Sequence, residues 1–264
     1  MCMWAGVFFH TVVGQYQQAL GMHEFALACA VAVEGHDSLN VATSLMNVGN
    51  VLFAMGKYEE ALVQHQKSLD IKIRMVGTGG DHPFVAASYC NMGVLLEKTG
   101  KYEEALEMHT KALEIDIRVH GDSHQDVALS LMNVGNVLKA MGKYEEALVQ
   151  HQKSLDIKTR ILGGDSHPSL ADCFHNIANI YLKQGKYEEA LEMHTKSLEI
   201  RTRIYCGDSH PDVADSYQMV GRVHHLQGNV VAAVEIYTKA YHIYLKMLGP
   251  DHPKTQGLKP FVNE

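Results

Sequence analysis

Gly56-Lys57-Tyr58-Glu59-Glu60-Ala61-Leu62 returns letter for letter from Gly100, Gly142 and Gly185. Looser copies start at Gly14 (Gly-Gln-Tyr-Gln-Gln-Ala-Leu) and Gly228 (Gly-Asn-Val-Val-Ala-Ala-Val). The intervals between these glycines are 42, 44, 42, 43 and 43 residues, so six related units follow one another along the 264-residue chain. A fixed period of this size means that each unit is one small motif, unable to bury its apolar face without its neighbours. The length therefore does not divide into ordinary globular domains. The extra residues fall at Gly77-Thr78-Gly79-Gly80, Gly163-Gly164 and Cys206-Gly207, where glycine marks loops.

Each unit reads as two helices. After Gly56, Tyr58, Ala61, Leu62, His65, Leu69 and Val76 recur at three- and four-residue steps, while Glu59, Glu60 and Lys67 fall on other faces. The partner helix starts after Asp81-His82-Pro83, Ser123-His124-Gln125, Ser166-His167-Pro168 or Ser209-His210-Pro211, where Ser or Asp can accept orphan amide hydrogens. Gly35-His36-Asp37-Ser38-Leu39 departs from this signal, with its polar residues displaced. Small residues set how closely the two helices meet: Gly49/Ala61/Ser68, Gly93/Ala105/Ala112, Gly135/Ala147/Ser154, Ala178/Ala190/Ser197 and Gly221/Ala233/Ala240.

Composition narrows the function. With 46% hydrophobic and 20% charged residues the chain folds, and a net charge of −7 disfavours nucleic acid, whose affinity rests on neutralised phosphates. Cys2, Cys29, Cys90, Cys173 and Cys206 are odd in number and form no CxxC pair, which argues against a disulfide framework or zinc ribbon and fits a reducing cytoplasm. The apolar start, Met1 to His10, lacks a basic leading region and is too short to span a bilayer, so neither targeting nor membrane insertion is expected.

A second period lies above the first. Residues 41–77 and 127–163 differ only at Thr43/Leu129, Phe53/Lys139, Ile73/Thr159, Met75/Ile161 and Val76/Leu162, as duplication of a two-unit block would produce. Such near copies suit an array of surfaces better than one catalytic centre of unlike groups. Gly-Asp-Ser-His lacks a GxSxG elbow, and Gly77-Thr78-Gly79-Gly80 lacks the lysine of a phosphate loop, so no enzyme and no cofactor is expected. Of the seventeen histidines, His23, His65, His109, His151 and His194 form one column on second helices, and His82, His124, His167, His210 and His252 another before first helices. Equivalent positions stand at least about 8–10 Å apart, so a column cannot share a metal ion; a bulky packing group and a helix-start residue are expected instead.

The small-residue triplet and the tyrosine after the turn resemble the tetratricopeptide repeat, usually about 34 residues long. The 42-residue period, with Gly-Asp-Ser-His-Pro-Asp-Val-Ala leading one helix and Gly-Lys-Tyr-Glu-Glu-Ala-Leu the other, is similar to kinesin light chain repeats over roughly residues 14–252. The resemblance implies an all-α, right-handed α-solenoid. Its expected segments are a partial unit 1–34, units 35–76, 77–119, 120–162, 163–205 and 206–248, and residues 249–264 as the start of a truncated unit or a tail. No heptad run of the kind that binds a motor heavy chain is present, so a motor or cytoskeletal cargo partner rests on family resemblance alone.

The resemblance also implies that first helices line a concave groove. Taking Gly49 as the contact with the second helix, Asn50 lies about 100° and Asn47 about 160° around the axis. One column runs Asn47, Asn91, Asn133, Asn176, then Met219; the other runs Asn50, Val94, Asn136, Asn179, Arg222. A carboxamide can pair with both C=O and N–H of an extended peptide, so these asparagines and Arg222 are the candidate peptide-binding residues. The same asparagines could instead bond neighbouring backbone as scaffolding. The expected function is a non-catalytic scaffold or adaptor for a protein or peptide. The alternatives are a regulatory or sensor segment of a larger signalling protein, or an array that self-associates through apolar ends such as Trp4, Phe8 and Phe9.

Overall fold

The structure is a computed structural model and describes residues 2–77, 80–164, 166–207 and 209–262, with side chains from Gly14 onward. The described residues form twelve α-helices and no strand: α1 (Cys2–Glu34), α2 (Leu39–Ala54), α3 (Tyr58–Val76), α4 (Pro83–Lys98), α5 (Tyr102–His120), α6 (Gln125–Ala140), α7 (Tyr144–Leu162), α8 (Pro168–Lys183), α9 (Tyr187–Ile204), α10 (Pro211–Leu226), α11 (Val230–Leu248) and α12 (Pro253–Val262). They belong to two compact units, residues 1–122 with α1–α5 and residues 123–264 with α6–α12. In the first, α2/α3 and α4/α5 are hairpins, α4 packs on α3, and α1 lies on α2. In the second, α6/α7, α8/α9 and α10/α11 are hairpins packed in series, and α12 closes on α11.

Every hairpin is built alike. The first helix ends at a glycine in the left-handed region, φ 76° at Gly56 and 73° at Gly185, a conformation an L side chain adopts only with strain. The second helix then returns against the small residues. Gly49, Gly93 and Gly135 face His65, His109 and His151, and Gly221 faces Tyr237; a methyl added at Gly93 would stand 2.5 Å from the His109 ring. His65, His109, His151 and His194 are 0–2% exposed, and Tyr237 takes the same place in α11, so the helical histidine column is an aromatic packing group. Lower in the seam, Ser68, Ser154 and Ser197 hydroxyls donate to the carbonyls of Ala42, Ala128 and Ala171 at 2.6–2.8 Å.

The helix starts differ from expectation in one respect. Histidine, not serine or aspartate, caps most first helices: Nδ1 of His82, His124, His167 and His210 accepts the amide two residues on at 3.1–3.3 Å. The neighbouring Asp37, Asp81, Ser123 and Ser166 instead accept from Arg74, Arg118, Arg160 and Arg203, each 37 residues later in the last turns of the second helices. The guanidinium reaches the loop oxygen and leaves the ring nitrogen as the acceptor nearest the orphan amides. At the irregular loop before α2, Ser38 accepts from Val41 N at 3.1 Å.

The first unit also departs from the pattern. Two helices broken at Gly14 are expected within residues 1–34, yet α1 runs unbroken from Cys2 to Glu34 and Gly14 stays out of the left-handed region. Val7 occupies the place of Gly49 in this copy, so the close seam that folds the other pairs back has no small residue there. Leu27, Ala30 and Val31 of α1 pack on Val41, Ala42 and Leu45. The side chains of Trp4, Phe8 and Phe9, expected as an apolar end, lie outside the described residues.

The seam generates two expectations. Gly93→Ala should destabilise the protein by about 1–3 kcal/mol through overpacking against His109, and His109→Ala should relieve part of that loss in the double variant. Urea denaturation of the single and double variants measures the coupling; purely additive effects would contradict the contact. Burial lowers the pKa of His65 and His151 to about 4 and of His194 to about 3. A depressed folded value favours the neutral ring, so its stability is present above an unfolded pKa of about 6.5 and is lost as pH falls from there through about 4. Each ring then loses about 2 kcal/mol between pH 7.5 and 5, and thermal melts across that range should show a clear fall in Tm.

Candidate functional site

The seam uses one side of each first helix and turns the asparagines away from it. In residues 1–122, Asn47 and Asn50 lie on α2 and Asn91 on α4; in residues 123–264, Asn133 and Asn136 lie on α6, Asn176 and Asn179 on α8, and Arg222 on α10. Asn50 and Arg222 are exposed and the other six residues are half-buried. Each compact unit therefore collects its own set of carboxamides on successive first helices.

Their bonding bears on the scaffold alternative. Among the described residues, Asn47, Asn50, Asn136, Asn176 and Asn179 make no side-chain hydrogen bond to the protein. Asn91 Nδ2 approaches only the soft acceptor Met46 Sδ, at 3.9 Å. Backbone bonding is therefore not what these six side chains do among the described residues.

Beneath this face lies a polar column that the sequence reading does not single out. Lys72, Asp116, Lys158, Arg201 and Tyr244 occupy one position in successive second helices. Lys72 is 4% and Lys158 9% exposed. Lys72 Nζ donates to Ser88 Oγ at 2.7 Å and stands 3.9 Å from Met46 Sδ, so Met46 lies between Lys72 and Asn91. Burial pulls the Lys72 ammonium below the usual lysine range. Lys158 Nζ stands 2.8 Å from Met132 Sδ and lines a cavity of about 360 Å³ with Leu129, Ile161 and Asp172.

Farther along, the same position acquires carboxylate partners. Arg201 donates to Asp172 Oδ1 and Ser216 Oγ, both at 2.9 Å. The Tyr244 hydroxyl donates to Asp215, with Gln218 Oε1 also within reach at 3.1 Å, and burial followed by the Asp215 carboxylate pushes its pKa up. Lys254 closes on Asp215 at 2.6 Å. The column ties α3 to α2 and α4, and α9 to α8 and α10, and Lys72 stands behind Asn91 through Met46. Its sequence signal is a lysine inside the apolar run Leu69-Asp70-Ile71-Lys72-Ile73, repeated as Leu155-Asp156-Ile157-Lys158.

The cysteines differ in burial: Cys29 and Cys206 are exposed and Cys173 is buried. Cys173 is fully buried, and desolvation first of all raises its thiol pKa, the reverse of what a nucleophile needs. No helix among the described residues is long and apolar enough to cross a membrane.

Comparisons with known proteins agree with this architecture. The tetratricopeptide repeat profile matches residues 4–74, 76–118, 126–203 and 170–246. No curated protein matches the chain in sequence. Among solved structures, BtubC (BKLC) from P. vanneervenii is 20% identical with a TM-score of 0.76, over 90% of this chain and 94% of that one. Nearly identical TPR-like repeats from Podosopora anserina, described as kinesin light chain, are 20% identical with a TM-score of 0.69, over 80% of this chain and 98% of that one. YrrB, a TPR protein with an unusual peptide-binding site, is 21% identical with a TM-score of 0.51, over 89% and 98%. The chain belongs to the tetratricopeptide repeat family.

Proposed function

We propose that this chain is a non-catalytic protein-interaction scaffold whose first-helix face holds an extended peptide through its asparagines. The carrying observation is that Asn47, Asn50, Asn136, Asn176 and Asn179 are accessible and make no side-chain hydrogen bond to the protein among the described residues. Packed helices stand about 8–10 Å apart and an extended strand rises about 3.3 Å per residue, so one repeat engages about three ligand residues. Pairing with backbone groups makes the clamp tolerant of ligand sequence. Side chains on either side supply the choice among ligands: Thr43 and Met46 beside Asn47, and Leu129 and Met132 beside Asn133.

Arg222 closes one column with a cation. Met46, Cys90, Met132 and Gln218 stand where a carboxylate clamp would place lysine, so an internal segment fits better than a C-terminal tail. A kinesin light chain-like cargo adaptor in the cytoplasm is the narrower form of this reading, supported by the long repeat and the shared fold. The printed description of YrrB as peptide-binding supports the ligand class.

A combined Asn136→Ala, Asn176→Ala, Asn179→Ala variant removes three carboxamides that leave no protein partner unpaired. Each hydrogen bond contributes about 0.5–1.5 kcal/mol, so affinity for peptides selected on the parent protein should fall about 10- to 1,000-fold with Tm unchanged. Peptide arrays probed with both proteins test this, and equal binding would remove the clamp.

A further inference from the structure

The second-helix side of residues 1–122 carries a surface that the asparagine clamp does not use. α4 packs against both α3 and α5, whereas the backbones of α3 and α5 stand apart. The gap between them is a cavity of about 360 Å³, floored by Met92 and Leu96 and walled by Leu62, Val63 and Met108. Val63 is 51% exposed, between the exposed polar residues Glu59, Glu60, Gln66 and Lys67 of α3. A second cavity, of about 290 Å³, continues the same gap along Ile73, Tyr89 and Ile115. From Leu62 to Ile73 the strip runs about 17 Å, roughly three helical turns.

Its chemistry differs from that of the first-helix face. The walls carry a single carboxamide, Gln66, whose Nε2 donates to Asp70 Oδ1 at 2.7 Å, in place of the repeated asparagines of the first-helix face. An extended segment would lose backbone hydrogen bonds to water here without replacement, whereas a helix carries its own. The charge is one-sided. Glu59, Glu104 and Glu107 rim the upper cavity together with Lys101, which pairs with Glu59 at 3.0 Å. Glu107 pairs with Lys111 at 2.6 Å, and Glu104 makes no ion pair among the described residues. Glu103, in the first turn of α5, adds to the same end, while Glu60 of α3 is paired with Lys57 at 3.2 Å.

We propose that the groove between α3 and α5 is a second docking surface, for a partner's amphipathic helix. That helix lays an apolar i, i+3, i+4, i+7 stripe on Val63 and Met92 and a Lys- or Arg-rich end over Glu59, Glu104 and Glu107. Ridge-into-groove packing of a third helix between two others supplies the fit, and the acidic rim sets its direction. The surface is independent of the asparagines, so one chain can hold an extended segment and a helical one together.

The test uses the full chain and two fluorescent 18-residue peptides, each with leucine at i, i+3, i+4 and i+7. One carries four lysines at one end and the other four glutamates. Anisotropy should show the lysine peptide binding at least 10-fold more tightly. Val63→Glu should weaken it at least 10-fold, while Val230→Glu, at an equally accessible valine of α11 (53% against 51% exposed), and the triple asparagine variant should bind as the parent does. Hydrogen exchange should slow over residues 59–66 and 101–108 in the complex. Equal binding of the two peptides, an inert Val63→Glu substitution, or protection elsewhere would overturn the proposal. Concentration-dependent self-association of the parent that Val63→Glu abolishes would overturn it in favour of a second copy as the occupant.

Discussion

The close approach of an aromatic ring on the second helix to a glycine of the first, at Gly49, Gly93, Gly135 and Gly221, is the contact on which the architecture depends. Where Gly93 meets His109 there is no room for a methyl group, so the ring fixes how far the two helices stand apart and how they cross. Below it, a serine or alanine continues the seam, and in three hairpins the serine hydroxyl donates across it to a first-helix carbonyl. Once one flank of the first helix is committed in this way, its next flank carries the asparagines and the remaining apolar positions meet the neighbouring hairpin.

That dependence explains what could be read in advance. The period, the left-handed glycines and the small-residue triplets are local signals with one structural solution, so the all-α hairpin array was legible from Gly56-Lys57-Tyr58 onward. The asparagines lie on first helices, half-buried or exposed. Three features were not legible. The capping role of His82 depends on Arg118 binding Asp81, a partner 37 residues away. The polar column through Lys72 needs the following hairpin in place before Ser88 becomes its acceptor. The unbroken α1 follows from a missing small residue at Val7, which a looser copy of the turn motif at Gly14 conceals.

The two faces of a repeat offer partners different chemistry. The first-helix face presents carboxamides above buried cations, a surface suited to exposed backbone. The second-helix face presents an apolar trough under an acidic rim, a surface suited to a helix that already satisfies its own backbone. Duplication of the two-unit block multiplied both sets of residues, since Leu62, Val63 and Glu107 reappear as Leu148, Val149 and Glu192. The floor changed, with Leu96 becoming Tyr181, over whose ring Lys186 sits at 5.9 Å. Divergence in single floor residues is a route by which near-identical repeats acquire different partners.

Side-chain amide NMR tests the central claim most directly. With an extended peptide taken from a display library selected on the folded chain, the NH₂ resonances of Asn136, Asn176 and Asn179 should shift and slow their exchange on binding, while those of Gln66 and Gln152 on second helices stay fixed. Saturating peptide that moves the glutamine signals and leaves the asparagine signals unchanged would contradict the account.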